Sequence, residues 1–208
     1  MVVGGDAPWS QRQLRKIGEE PKWITDAGAT DPEAIGGFPQ EMIEEARELG
    51  AAATAYALFD DSRRIANGHP MDSHPDLIAS LWAGFSAVAS DNEYAWSRRR
   101  RTVDEIREPT PANRMIAFPY TVDMVANNTV DMASATLVCR VSAGRAAATP
   151  PDRYVFPHVS VHGHETWRIV NREVLHETPR LAEIGRTAYR HAGISAADLT
   201  HIDLYACF

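Results

Sequence analysis

The residues with most chemistry to offer lie near the end of the sequence. Tyr205-Ala206-Cys207-Phe208 sets a phenol two positions before a thiol. A phenol, titrating near about 10, donates a hydrogen bond or acts as a weak acid, and a thiol becomes a nucleophile once ionised. The competing reading is structural: Tyr205 packs at a strand end with its hydroxyl satisfied, and Cys207 fills a small apolar gap, as free cysteines usually do. Upstream, His158, His162 and His164, with Glu165 beside them, bring imidazoles and a carboxylate together. Strand alternation would put the three rings on one face. The spacing His-x-x-x-His-x-His is not a common zinc pattern and shows no fourth ligand, so no metal is assigned and a polar strand-and-loop edge accounts for it. Arg98-Arg99-Arg100-Arg101 offers guanidiniums suited to bidentate phosphate contact, against the alternative of a solvated linker. Gly4 and Gly5 do not complete a Gly-x-Gly-x-x-Gly loop and read as a tight turn. Cys139 sits inside an apolar run and reads as buried. No residue is assigned to a tightly bound cofactor.

The elements that must position these groups follow from periodicity. Residues 1–5 read as a short buried strand and 10–17 as polar and helix-compatible. From 18 to 39, Gly, Pro, Asp and Thr without periodicity predict an irregular surface loop. Residues 39–66 turn helical: Met42, Ile43, Ala46, Leu49, Ala53, Tyr56 and Ala57 match a 3.6 period, with Gly50 dividing the run or allowing close packing. Asn67-Gly68-His69-Pro70 stops it. A second helix is predicted over 73–90, N-capped by Ser73, with Pro75 early and a stripe including Leu77, Leu81, Phe85 and Val88. Together they suggest a helical hairpin or small helical subdomain.

Residues 97–114 read as a connecting stretch, and 116–120 as an edge or turn because Pro119 interrupts it. Turn chemistry over 127–131 precedes a strand at 133–141. Its small and β-branched residues do not alternate with polar ones, which predicts cover on both faces. Strands are expected at 154–156, continuing over 159–161, and at 202–205. Between them Thr178-Pro179 opens a helix, Gly193 ends it, and Ser195-x-x-Asp198 caps a further turn. Helices interleaved with buried strands argue for an α/β layered fold.

Composition narrows the function. Apolar residues make up 44% and charged residues 24%, ordinary for a globular chain rather than a disordered one. The net charge of -7 argues against nucleic acid as a partner, since duplex binding needs a basic face. No apolar run approaches the ~20 residues that span a bilayer. The start has neither basic nor long apolar character and predicts no signal peptide. Two distant cysteines fit reduced thiols in a cytoplasmic protein, not a disulfide framework. Both ends look cut through a core, where domain termini usually lie at the surface.

At this point four segments acquire a common meaning. The stretch R-x-A-x-x-x-A-G-I-S-A-A-D-L-T-H-I-D-L-Y-A-C-F, ending at Phe208, resembles the helix, cap and strand leading to a catalytic motif of thiolases. That motif reads Asn-Glu-Ala-Phe in degradative and biosynthetic members and His-Asp-Cys-Phe in the sterol-carrier-protein type; here it stands as Tyr205-Ala206-Cys207-Phe208. Residues 128–141 resemble the last strand of the thiolase N-terminal half, and Val2-Val3-Gly4-Gly5-Asp6 resembles an earlier strand ending Val-Gly-Gly-Glu. The middle, A-N-R-M-I-A-F-P-Y, resembles acetyl-CoA acetyltransferase-type proteins of actinobacteria.

The resemblance implies a partial thiolase-like α/β fold, a mixed sheet layered with helices plus an inserted, largely helical loop domain. Residues 1–8 and 115–150 would end the N-terminal half, 9–114 would form the insertion, and 151–208 would start a truncated C-terminal half. It implies an acyl-CoA acyltransferase taking a coenzyme A thioester as substrate, in a homodimer or as a partner subunit. Tyr205 would occupy the Asn or His position and hold a water or oxyanion, Ala206 removes the acidic residue, and Cys207 would match the Cys of His-Asp-Cys-Phe. The family's nucleophilic Cys lies upstream of the opening strand, and its Gly-His-Pro histidine and second Cys lie well downstream of the last motif, so none has a counterpart here. Two-step acyl transfer needs a thiolate and a base, and the chain alone is expected to be inactive. Two alternatives stand beside this: a thiolase-like aldolase or lyase using Tyr205 as acid–base, and a non-catalytic, degenerate thiolase half that pairs with a partner.

Overall fold

The helical run predicted over 39–66 breaks at Gly50. That glycine has φ +74, a left-handed conformation that L side chains adopt only under strain, and it separates α2 (Gln40–Leu49) from α3 (Ala52–Ala66). The computed structural model describes residues 2–22, 40–50 and 52–205; the predicted loop therefore falls largely outside the described residues, apart from its start. The chain divides into two units, one of Met1–Ile35 with Asn127–His158, the other of Gly36–Ala126 with Val159–Phe208.

In the first unit β1 (Val2–Asp6) pairs antiparallel with β4 (Met132–Thr136), Val2 opposite Thr136 and Asp6 opposite Met132. Helix α1 (Pro8–Lys16) follows, with proline in its first turn, where no intrahelical N–H is needed. Its exposed N–H groups are met from far along the chain. The Asp131 carboxylate accepts the backbone N–H of Trp9 at 3.0 Å and of Ser10 at 3.1 Å, and the Ser10 hydroxyl. The Ser10 hydroxyl first, then these N–H groups, hold Asp131 below the usual carboxylate range.

Two expectations change in this unit. The strand predicted over 133–141 ends at Thr136, all five residues of β4 are exposed, and Val141–Ala146 forms α6. Apolar small residues permit cover on both faces, but β4 has one neighbour, β1, and no layer over it among the described residues. The strand expected at 154–156 does not form. Tyr154 instead lies so close to Gly144 that a Cβ there would sit 2.7 Å from its ring, and it stacks on Phe156 at 6.0 Å. A ring covering a glycine replaces a sheet pairing.

In the second unit α3 runs to Ala66 and stops at Gly68, φ +66. Helix α4 (His74–Asp91) starts where predicted, but Ser73 makes no side-chain cap. Its backbone is already helical, φ -96 and ψ -11, which aims the hydroxyl away from the N–H groups an extended N-cap would reach. The stretch read as a linker contains α5 (Val103–Arg107), opened by a full capping box between Thr102 and Glu105. The Thr102 backbone N–H is the main reason Glu105 is held below its ordinary range. Residues 115–121 form a hairpin, β2 (Met115–Ala117) with β3 (Tyr120–Thr121), across a cis Phe118–Pro119 bond.

The core of this unit gathers Ala57, Ala79, Ile106, Tyr120 and Met124. Buried among them, Asn113 donates to the carbonyls of Glu105, Ile106 and Glu108 and accepts the Asp123 N–H at 2.9 Å. Thr121, with no exposed surface, donates to the Ile106 carbonyl at 2.7 Å. One asparagine thus satisfies the end of α5 and positions the hairpin beyond it.

Helix α7 (Pro179–Ala192) ends at Gly193, φ 68, as its sequence predicts, and the Ser195–Asp198 capping box is complete. Thr178 does not cap α7. Glu165, 15 residues before, accepts the Arg180 N–H at 2.9 Å instead. No strand forms at 159–161 or 202–205; among the described residues neither segment has a sheet edge beside it, and 202–205 are exposed. Among the described residues the architecture is mixed α/β with two small antiparallel sheets, and no helix is long and apolar enough to cross a membrane.

Candidate functional site

Tyr205 lies in a segment that is neither helix nor strand, and the residue is 89% exposed. Cys207 lies outside the described residues. Cys139 is free and exposed, beyond the end of β4 rather than inside a strand, which corrects its reading as a buried residue. Exposure is the physical reason: the sheet it follows has a single pairing and no cover.

Several of the histidines and arginines have structural partners. His158 belongs to the first unit, while His162 and His164 belong to the second. His164 packs on Trp167 with centroids 4.7 Å apart, and Glu165 is taken by the α7 N-terminus. Among the described residues no group of three or more His, Cys, Asp or Glu could hold a metal ion. In the arginine run, Arg98 Nε donates to the Ser90 carbonyl, Arg99 pairs with Glu105, and Arg101 pairs with Asp123. Arg101 also exchanges backbone hydrogen bonds with the Ser86 hydroxyl. Arg98 thus ties back to the end of α4, Arg99 to α5, and Arg101 to α4 and to the turn after the hairpin, while the exposed Arg100 keeps the character of a solvated phosphate ligand.

Two concave sites were not evident from sequence. The first is a cavity of about 350 Å³ between the end of α3 and the start of α4. Its floor is the pair His74 Nε2–Asp60 Oδ2 at 2.8 Å, with His74 only 5% exposed. His74 Nδ1 is buried without a hydrogen-bond partner among the described residues, so the free nitrogen of this pair cannot reach a ligand as a base would. Burial, and secondarily the Asp60 charge, push the nearby Tyr120 phenol up, which keeps it neutral. Arg64 is spent on Asp61 at 2.7 Å and on the His69 carbonyl at 3.0 Å. The rim keeps Arg63, Asn67 and His69 as groups that can face a ligand. The tripeptide Gly68-His69-Pro70 thus serves as a helix stop at a polar rim.

The second is a pocket of about 500 Å³ against the α2–α3 junction. Ala52, Ala55, Tyr56 and Phe59 recur at helical spacing on α3 and line one wall; Trp167, Ile169 and Arg172 line the other. Glu45, 4% exposed, joins the walls: its carboxylate accepts the N–H of Ile169 at 2.7 Å and of Val170 at 3.0 Å. The Val170 N–H first, then that of Ile169 and the charges of Arg168 and Arg172, hold Glu45 below the usual carboxylate range. Arg172 Nε donates to the Thr166 carbonyl at 2.9 Å, and its guanidinium lies 5.3 Å above the Phe59 ring. The available signal was Tyr56-x-x-Phe59 on the helix stripe; the partner wall, more than a hundred residues on, carried none.

No family model matches the chain, and no curated protein matches it. Among solved structures it is similar to a monomeric SCP2-thiolase like protein type 1 from Mycobacterium smegmatis, with a TM-score of 0.66 and 28% identity. The similarity covers 83% of this chain and 37% of that one, so this chain spans little more than a third of its structural relative. A thiolase-like fold is what that similarity supports.

Proposed function

We propose that this chain is the portion of a thiolase-like acyl-CoA protein that carries its inserted helical segment, and that it binds a coenzyme A thioester without turning it over. The observation that carries this reading is the similarity to the SCP2-thiolase like protein over 83% of the chain. Arg63 at the rim of the first cavity and the exposed Arg100 are guanidiniums open to the phosphates of coenzyme A, and the His69 imidazole shares the rim with Arg63. Acyl transfer needs a thiolate beside a base. Cys139 is exposed, and among the described residues no base hydrogen-bonds it. Coenzyme A binding is a stronger reading than a lyase, because the Arg63 guanidinium is on the rim of a cavity and Tyr205 lines neither cavity.

Calorimetric titration of the purified chain with coenzyme A and with acetoacetyl-CoA, paired with a thiolysis assay, tests this. The expected result is saturable binding of both and no turnover. Absence of saturable binding at millimolar ligand would overturn the binding reading; sustained thiolysis would overturn the inactive one.

A further inference from the structure

The pocket at the α2–α3 junction has the makings of a second ligand site. Its size, about 500 Å³, falls within the roughly 300–1,000 Å³ of small-molecule sites, and its lining is apolar and aromatic with few polar groups. Alanines at 46, 52 and 55, with Gly50, leave space where longer side chains would fill it. Its walls are tied by the buried Glu45 carboxylate, which spends itself on two backbone N–H groups. Two guanidiniums, Arg168 and Arg172, act on that one carboxylate. Neither forms an ion pair among the described residues, and the buried Nε of Arg168 has no hydrogen-bond partner there. Arg172 lines the pocket, steadied by Phe59 and the Thr166 carbonyl. The site therefore offers an apolar slot with one guanidinium, Arg172, in its lining, and two guanidiniums against the single carboxylate of Glu45.

We propose that this pocket binds an amphiphilic monocarboxylate, a medium-chain fatty acid, with its chain against Tyr56, Phe59 and Trp167 and its carboxylate on Arg172. An apolar body gains from burial, and a planar guanidinium meets a carboxylate in two parallel hydrogen bonds. The ligand differs from a coenzyme A thioester in lacking both the nucleotide and the thioester, so the site goes beyond the proposed function and stands or falls separately.

Titration calorimetry of the full chain with decanoate, decanol and decanoyl-CoA tests it. Decanoate is expected to saturate at submillimolar concentration and to bind at least about tenfold tighter than decanol. Arg172→Met should weaken decanoate about tenfold or more and leave decanol unchanged, Arg172→Lys should recover part of the loss, and Ala55→Leu should weaken both by filling the slot. Coenzyme A titrated into decanoate-saturated protein should bind as it does to the free chain. Unchanged thermal melts confirm that the variants fold. The proposal is overturned if decanoate does not saturate, if decanol binds equally well, if Ala55→Leu changes nothing in folded protein, or if only decanoyl-CoA binds.

Discussion

Ala57 and Ala79, on α3 and α4, are 7% and 0% exposed; Ala133 and Ala135, on β4, are exposed. The residue type is the same and the elements are equally regular. Around the helical alanines stand Ile106, Tyr120 and Met124, with Asn113 and Thr121 both donating to the Ile106 carbonyl. Around the strand alanines stands one partner strand. Small apolar residues make burial possible, but only neighbours with both bulk and satisfied polar groups make it happen.

Substitutions can break this contrast or sharpen it. The largest effect is expected at Asn113→Ala, which strands the carbonyls at the end of α5 and the Asp123 N–H together. A loss of about 3 kcal/mol is expected from urea melts of the full chain; a loss below about 1 kcal/mol would show that the asparagine merely decorates the core. Thr121→Val keeps the shape, removes one buried hydrogen bond and should cost about 1–1.5 kcal/mol by the same measurement.

Glu45→Gln comes next and acts through pH. Its carboxyl is held below its ordinary value of 4.5, so its stabilisation is complete above that value and is lost as pH falls through the lower, folded-state value. Urea midpoints followed from neutral to acidic pH should fall for the native chain and fall less steeply for the glutamine variant; parallel curves would remove Glu45 from the pocket's framework. The smallest effect is expected on the strand. Ala135→Thr should move stability by less than about 0.5 kcal/mol, since an exposed strand face accepts a β-branched side chain. A larger loss would mean that β4 is covered after all.

The fold was legible wherever the signal was local. Gly50, Gly68 and Gly193 each end a helix in the left-handed conformation that glycine alone adopts cheaply, and the Ser195–Asp198 box spans four residues. Thr102-x-x-Glu105 was equally local, but its polar surroundings read as linker and hid α5. What was not legible runs through carboxylates acting at a distance. Asp131 reaches α1, Glu165 reaches α7, Glu45 reaches residues 169 and 170, and Asp60 reaches His74. Among 28 acidic residues nothing marks these four until the chain folds. The arginine run shows the converse: a cluster conspicuous in sequence whose members mostly have structural partners. The candidate site shared this fate, because each wall of the α2–α3 pocket looks ordinary alone and Tyr205 stands apart from both cavities' linings.

The bond between Ser10 and Asp131 spans 121 residues. During translation, β1 and α1 leave the ribosome long before the strand and carboxylate that complete them, and the whole stretch from 36 to 126 is made in the interval. Helices α4 and α5, adjacent in sequence and packed on each other, can form first. The sheet must then close a long loop, at an entropic cost that grows only slowly with length. Until residues 132–136 are made, β1 therefore lacks the strand it pairs with in the folded unit, and that row of unpaired backbone groups is open to the wrong partner for the whole of the interval.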